Sequence, residues 1–279
     1  MTPLVLDQVA VDLKDLPSLP AIVMDLLNAL ERDDLKLEIL SKKINQDPAL
    51  TAKTLRYANS PFYGTQVKVT TIQQAIGLMG LDAVKQMALA AGLSGCFPRN
   101  DCYGFDHKAF WRHANAVAYT AKLIARRVEL NEDVAFTAGL LHDIGVLGLV
   151  TLYPYRYEQV IDYQSQSLIT QREAEERILG VDHTQVGASL ARAWNFSETM
   201  RNAIIGHHHP DQHGSGILAT IVHIADGIAH MLGISTIPRR QMISVSVTSW
   251  SSLNLDPASL DTLIEEATIK FKKLDQADL

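Results

Sequence analysis

Apolar positions along the chain recur three and four residues apart, the spacing of an amphipathic helix, far more often than they alternate as in a half-buried strand. The one alternating stretch, Ile243–Val247, is short and is equally compatible with a helix turn. The pattern predicts an all-α fold. Asp47-Pro48 supplies an N-cap followed by proline at the first helical position, which opens a helix to about Tyr57 before Asn59-Ser60-Pro61 stops it. Thr71 caps the next helix, Gly80 suits a left-handed residue behind it, and Leu81–Leu93 places Val84, Met87, Ala88 and Ala91 on one face.

Gly95 to Gly104 is rich in turn formers and predicts a boundary between an N-terminal helical part, 1–104, and a helical core, 105–235. The core starts with a long helix from about Asp106 to Val128. Further helices are expected at Asp133–Leu141, Ile144–Leu152, Tyr155–Tyr163, Gln171–Leu179, His183–Trp194, Glu198–His207 and Ile217–Leu232. Thr170 with Glu173 has capping-box spacing, and Asp182 and Ser197 are N-caps. A C-terminal extension, 236–279, carries a last amphipathic helix at Pro257–Leu274, with Leu260, Leu263, Ile264, Ala267 and Phe271 on one stripe. No internal repeat is visible.

Charge narrows the classes of partner. Lys plus Arg number 25 and Asp plus Glu 31, a net charge of −6, which disfavours nucleic acid as a bulk polyanionic partner. Cys96 and Cys102 form neither a C-x-x-C pair nor a zinc knuckle, and such sparse usage fits a reducing compartment. The opening residues lack the basic and apolar regions of a secretion signal. Ala75–Leu93 is interrupted by Asp82, Lys85 and Gln86, and Thr137–Val150 by His142-Asp143, so no membrane span is expected. A cytoplasmic protein is the expectation.

Histidine distribution brings in chemistry. There are ten histidines, most of them from His113 to His230. His142 and Asp143 point about 100° apart on a helix, so both reach one site only at a helix edge or just beyond its end, and Gly145 would permit a bend there. An imidazole beside a carboxylate offers one metal a nitrogen while the two oxygens bridge to another; a buried His–Asp hydrogen bond is the plain alternative. His113 in an apolar helix is either a ligand or a core histidine bonded to a carbonyl. His183 at a helix start could be a surface cap, and His207-His208-His209 at a helix end could be dipole-stabilising cations or an exposed pH-sensitive tail. Asp226, in a nearly continuous apolar helix, calls for a partner, because a buried carboxylate is expensive alone. Histidine and aspartate without thiolate favour iron, manganese, nickel, cobalt or zinc, and two such ions suit hydrolysis of a phosphoester.

These residues, in the order H…HD…D, resemble the HD superfamily of metal-dependent phosphohydrolases, and within it the HDOD domain. Leu16-Pro-Ser-Leu-Pro20, Asp47-Pro-Ala-Leu-Thr-Ala-Lys53, Ala58-Asn-Ser-Pro-Phe-Tyr-Gly64, Ile72-Gln-Gln-Ala-Ile76, Phe110-Trp-Arg-His113, Ala138-Gly-Leu-Leu-His-Asp-Ile-Gly145 and His183-Thr-Gln-Val-Gly187 are similar to successive HDOD landmarks, from about Leu16 to His209. The resemblance implies an HD-type helical core used as an output or regulatory module in bacterial signalling. The layout of the HD-GYP cyclic-di-GMP phosphodiesterases implies His113, His142, Asp143, His183, His207, His208 and Asp226 as ligands of a dinuclear divalent-metal site, with Asp143 bridging and His142 and Asp143 nearest the chemistry. Two departures stand out: Val146 replaces the lysine of H-D-x-x-K, and His209-Pro-Asp-Gln-His-Gly214 stands where Gly-Tyr-Pro is expected. Arg112, Lys108 and Arg192 are candidate replacement cations. The implied function is hydrolysis of a nucleotide-like phosphoester; the alternative is a non-catalytic module that binds metal or nucleotide and regulates a signalling partner, for which Phe62 and Tyr63 could form a surface.

Overall fold

In the computed structural model, residues 3–16, 18–32, 37–60, 67–97, 102–167, 169–212, 214–234, 245 and 247–275 are described. Capping chemistry sets the starts of seven helices. Asp47 accepts from the amides of Ala49 and Leu50 to start α4 (Pro48–Ala58), and Thr71 and Gln74 form a reciprocal box at α5 (Ile72–Met79). Asp106 begins α7 (His107–Arg127), Asn131 begins α8 (Glu132–Leu141), and Thr170 with Glu173 begins α11 (Gln171–Leu179). Asp182 with Gln185 begins α12 (His183–Ala193), and Ser197 begins α13 (Glu198–Gly206). Gly80 ends α5 with φ 87° and ψ 162°: the positive φ fits glycine, but the residue is extended rather than left-handed helical, because it also opens α6 (Leu81–Cys96) directly.

The remaining helices are α1 (Leu6–Asp12), α2 (Ala21–Arg32), α3 (Leu37–Asn45), α9 (Ile144–Leu152), α10 (Pro154–Gln166), α14 (Gly216–Met231), α15 (Val247–Ser252) and α16 (Pro257–Asp275). Among the described residues there is no strand. Of the alternating stretch, Ile243, Ser244 and Ser246 lie outside the described residues, and Val247 begins a helix. Pro61 to Gly64, with the suggested Phe62–Tyr63 surface, also lie outside them.

Two groups of helices share a continuous core running from Val9 to Phe271. In one, α2 and α4 pack on α6; in the other, α7 packs between α8 and α14, while α9 packs on α12 and α13 bridges α12 and α14. Helix α8 joins them, touching α2 and α6 on one side and α7 on the other. The stretch Glu132–Leu152 is long and apolar enough to cross a membrane by length and composition, yet 83% of its window is buried by the rest of the fold and the dyad breaks it in two.

Glycine decides how closely the core helices approach. A Cβ on Gly139 would lie 2.7 Å from the Cα of Ala118, so α7 and α8 meet backbone to backbone. A Cβ on Gly145 would overlap the carbonyl of His183 and the amide of Gly187. Gly145 therefore acts by letting α9 touch α12, and the bend belongs instead to Asp143, at φ −101° and ψ 15° between α8 and α9.

Candidate metal centre

The break between α8 and α9 turns Asp143 out of the helical path, so His142 and Asp143 address one space from opposite sides of the joint. His142 donates from Nδ1 to the Gly139 carbonyl at 2.7 Å, which leaves Nε2 facing inward, 3.2 Å from Asp143 Oδ2. His207, just past the end of α13, is held the same way by the Ile204 carbonyl at 2.7 Å, and His113 on α7 by the Ile234 carbonyl at 2.8 Å. In each case a backbone acceptor fixes the tautomer and aims Nε2.

Asp143 stands at the middle. Its Oδ1 lies 3.3 Å from His183 Nε2 and 3.5 Å from His207 Nε2, while Oδ2 faces His142. His183 Nε2 and His208 Nε2 approach to 3.0 Å. On the other side His113 Nε2 is 3.1 Å from Asp226 Oδ1. The donor atoms fall into overlapping groups, Asp143 with His183, His207 and His208, and His113 with His142 and Asp143 or with Asp226 and His230. All seven residues expected from the sequence are thus brought together.

The arrangement suits divalent metal. Donors bound to one ion at about 2.1 Å lie roughly 3.0–3.4 Å apart for angles from a right angle to tetrahedral, close to the separations here. His142 Nε2 and His207 Nε2 are buried without a hydrogen-bond partner, a costly state for atoms that have no role. Burial pushes Asp143 upward, but His142 and His183 outweigh it and hold the carboxyl well below the usual range. Asp226 is likewise held well below it, with burial overcome by His230 and His113. Burial lowers His207, and it lowers His208 strongly with help from His207 and His183. These two therefore remain neutral donors rather than dipole-stabilising cations, and the buried His207 and half-buried His208 form no exposed tail.

His183 is buried, so it is no surface cap, and Asp226 finds its partners in His113 and His230. His230, whose Nε2 is 3.2 Å from Asp226 Oδ1, escaped the sequence reading although it sits four residues after Asp226 on one helix face. Glu175 also escaped: it is fully buried and accepts from His183 Nδ1 at 2.6 Å. Val146 is buried in α9, where a lysine would have to leave the core. Near the site, Arg172 reaches His209 and donates to Asp182 and Glu176. Cys96 and Cys102 are free and buried, burial pushing both thiols up to about 11, and neither joins a metal-ligand group among the described residues.

Known proteins share this organisation. The HDOD domain pattern matches residues 16–210. An HDOD domain protein from Geobacter sulfurreducens superposes with a TM-score of 0.81 at 25% identity, covering 96% of this chain and 98% of its own. A Shewanella amazonensis SB2B protein, whose name proposes a phosphohydrolase, gives 0.74 at 27% identity over 96% and 97%. An uncharacterised Treponema pallidum protein is 24% identical over 90% of this chain and 50% of its own length. Ribonuclease Y of Mycoplasma mycoides is 32% identical over 42% of this chain and 21% of its own. The chain thus spans half of the first curated relative and about a fifth of the second.

Proposed function

The chain belongs to the HDOD family of the HD superfamily, and from that premise we propose that it is a metal-dependent phosphohydrolase acting on a nucleotide-like phosphodiester, with two divalent ions sharing Asp143. The observation that carries this reading is the division of one carboxylate: Oδ2 faces His142, and Oδ1 faces His183 and His207. When bound, two such ions polarise a phosphoryl oxygen and lower the pKa of a water. The protein's part is to hold donors in place. Backbone carbonyls fix the rings of His113, His142 and His207, and Asp226 gathers His113 and His230. The low exposure of these groups keeps bulk water from competing for them. Ribonuclease Y, similar over 42% of this chain, cleaves a substrate of the same phosphodiester class by name, and this supports the choice of bond.

A second reading is favoured by Val146. Without the lysine of H-D-x-x-K the site lacks a cation at that position, which suits a module that binds metal or nucleotide and regulates a signalling partner through the N-terminal helices. One experiment separates the two. Elemental analysis of the purified protein beside Asp143→Ala is expected to give about two equivalents of metal in the wild type and a loss in the variant. The loaded protein is then offered bis(p-nitrophenyl) phosphate, cyclic dinucleotides and an RNA oligonucleotide. Turnover abolished by Asp143→Ala supports the enzyme; metal uptake with no turnover of any substrate overturns it in favour of the module.

A further inference from the structure

The histidines of the centre are not held alike. His113, His142 and His207 donate from Nδ1 to neutral backbone carbonyls, whereas His183 donates to a carboxylate. Glu175, on α11, accepts through Oε2 both the ring N–H of His183 at 2.6 Å and its backbone N–H at 2.8 Å. Its Oε1 accepts from the Tyr157 hydroxyl at 2.7 Å and from Gln171 Nε2 at 3.1 Å, and Gln171 also donates to the Tyr157 oxygen at 3.0 Å. Glu175 and Tyr157 are both buried. Each bond that Glu175 makes here is one it accepts.

Charge explains why a carboxylate belongs at this place. His113 belongs to two groups, one with Asp226 and His230 and one with His142 and Asp143, so two carboxylates stand on that side of the centre. The group around His183 has only the share of Asp143, with three imidazoles. Glu175 supplies that group's second negative charge one ring away, and a carboxylate behind a ligating imidazole makes it a stronger donor and locks its orientation. We propose that Glu175, braced by Tyr157 and Gln171, is a positioning residue that fixes His183 as an Nε2 donor and selectively tightens the metal position formed by Asp143, His183, His207 and His208. The inference rests on the two-ion reading above.

Cobalt(II) titration of the full chain, followed by equilibrium dialysis and visible absorption, tests it. The wild type is expected to take up two equivalents, and His142→Ala identifies the one on the far side. Glu175→Gln should weaken the other equivalent alone by about 10- to 100-fold and alter its absorption band. Tyr157→Phe, which removes a single brace and keeps the aromatic packing, should weaken the same equivalent about threefold or more, and it serves where Glu175→Gln does not fold. Equal weakening of both equivalents, or unchanged binding in a folded variant, overturns the inference and leaves the two-ion reading standing. A wild type that binds no cobalt overturns both.

Discussion

Both helical groups bury charge, and they treat it in opposite ways. In the N-terminal group, Lys85 is almost wholly enclosed, with its ammonium 2.9 Å from Asp82 and 3.7 Å from Asp133, while Gln86 donates to Asp133 at 2.7 Å. There the buried ammonium meets carboxylate partners. Around Asp143, buried imidazoles are tethered at one end and left open at the other, with His142 Nε2 and His207 Nε2 lacking a hydrogen-bond partner and converging on the carboxylate. The N-terminal orphans Thr54 and Ser60 are hydroxyls, far weaker ligands for a divalent ion than imidazole or carboxylate. A satisfied buried network specifies a fold, whereas convergent imidazole and carboxylate atoms form a set suited to divalent metal.

The contrast breaks most severely at Gly145. Replacing it with alanine drives a methyl into the His183 carbonyl and forces α9 off α12, expected to cost about 3 kcal/mol and to lower metal uptake by parting His183 from Asp143. Thermal melts and metal content measured together check this; a stable variant with full metal would show that the close contact is dispensable. Lys85→Met attacks the ion pairs of the N-terminal group instead. It should cost about 2 kcal/mol, because Asp133 loses a partner while Gln86 remains, and metal content should stay unchanged. Altered metal content in that variant would mean that the two networks communicate through α8.

The gentlest probe is pH. In the metal-free protein, burial lowers the pKa of His183, but Glu175 and Asp143 outweigh it and raise the group to about 10 from an ordinary 6.5. The folded chain then keeps a proton that the unfolded chain releases. This contribution to stability is complete below about 6.5 and disappears as pH rises through about 10. Melting curves from pH 6 to 10 should therefore fall for the metal-free protein and be flatter once metal has displaced the proton. Parallel profiles in the two forms would remove His183 from the ligand set.

Much of this was legible in the sequence. Asp47, Thr71, Thr170, Asp182 and Ser197 all cap where their side chains predict, since capping is a local interaction. The seven histidine and aspartate positions came from the resemblance to the HD-type layout; of them Asp226 stood out by itself, as a carboxylate in an apolar helix that demands a partner. Glu175 did not, because α11 is written as a polar surface helix, Gln-Arg-Glu-Ala-Glu-Glu-Arg, and only packing against α10 shows which of its glutamates is enclosed. Gly145 was misread as a hinge for a related reason: nothing local reveals that its missing side chain makes room for another helix. The stripe of Val23, Leu26 and Leu27 carries the period of α2, but that helix has no capping signal to delimit it.

On the proposed two-ion reading, the two oxygens of Asp143 address different groups of donors, and an ion on one side would alter the electron density and the orientation offered to the other. Loading is then a linked equilibrium in which the first ion changes the affinity for the second by the same factor as the second changes it for the first. Two independent dissociation constants will not describe the isotherm. The quantity to extract is a coupling free energy, carried by a single side chain.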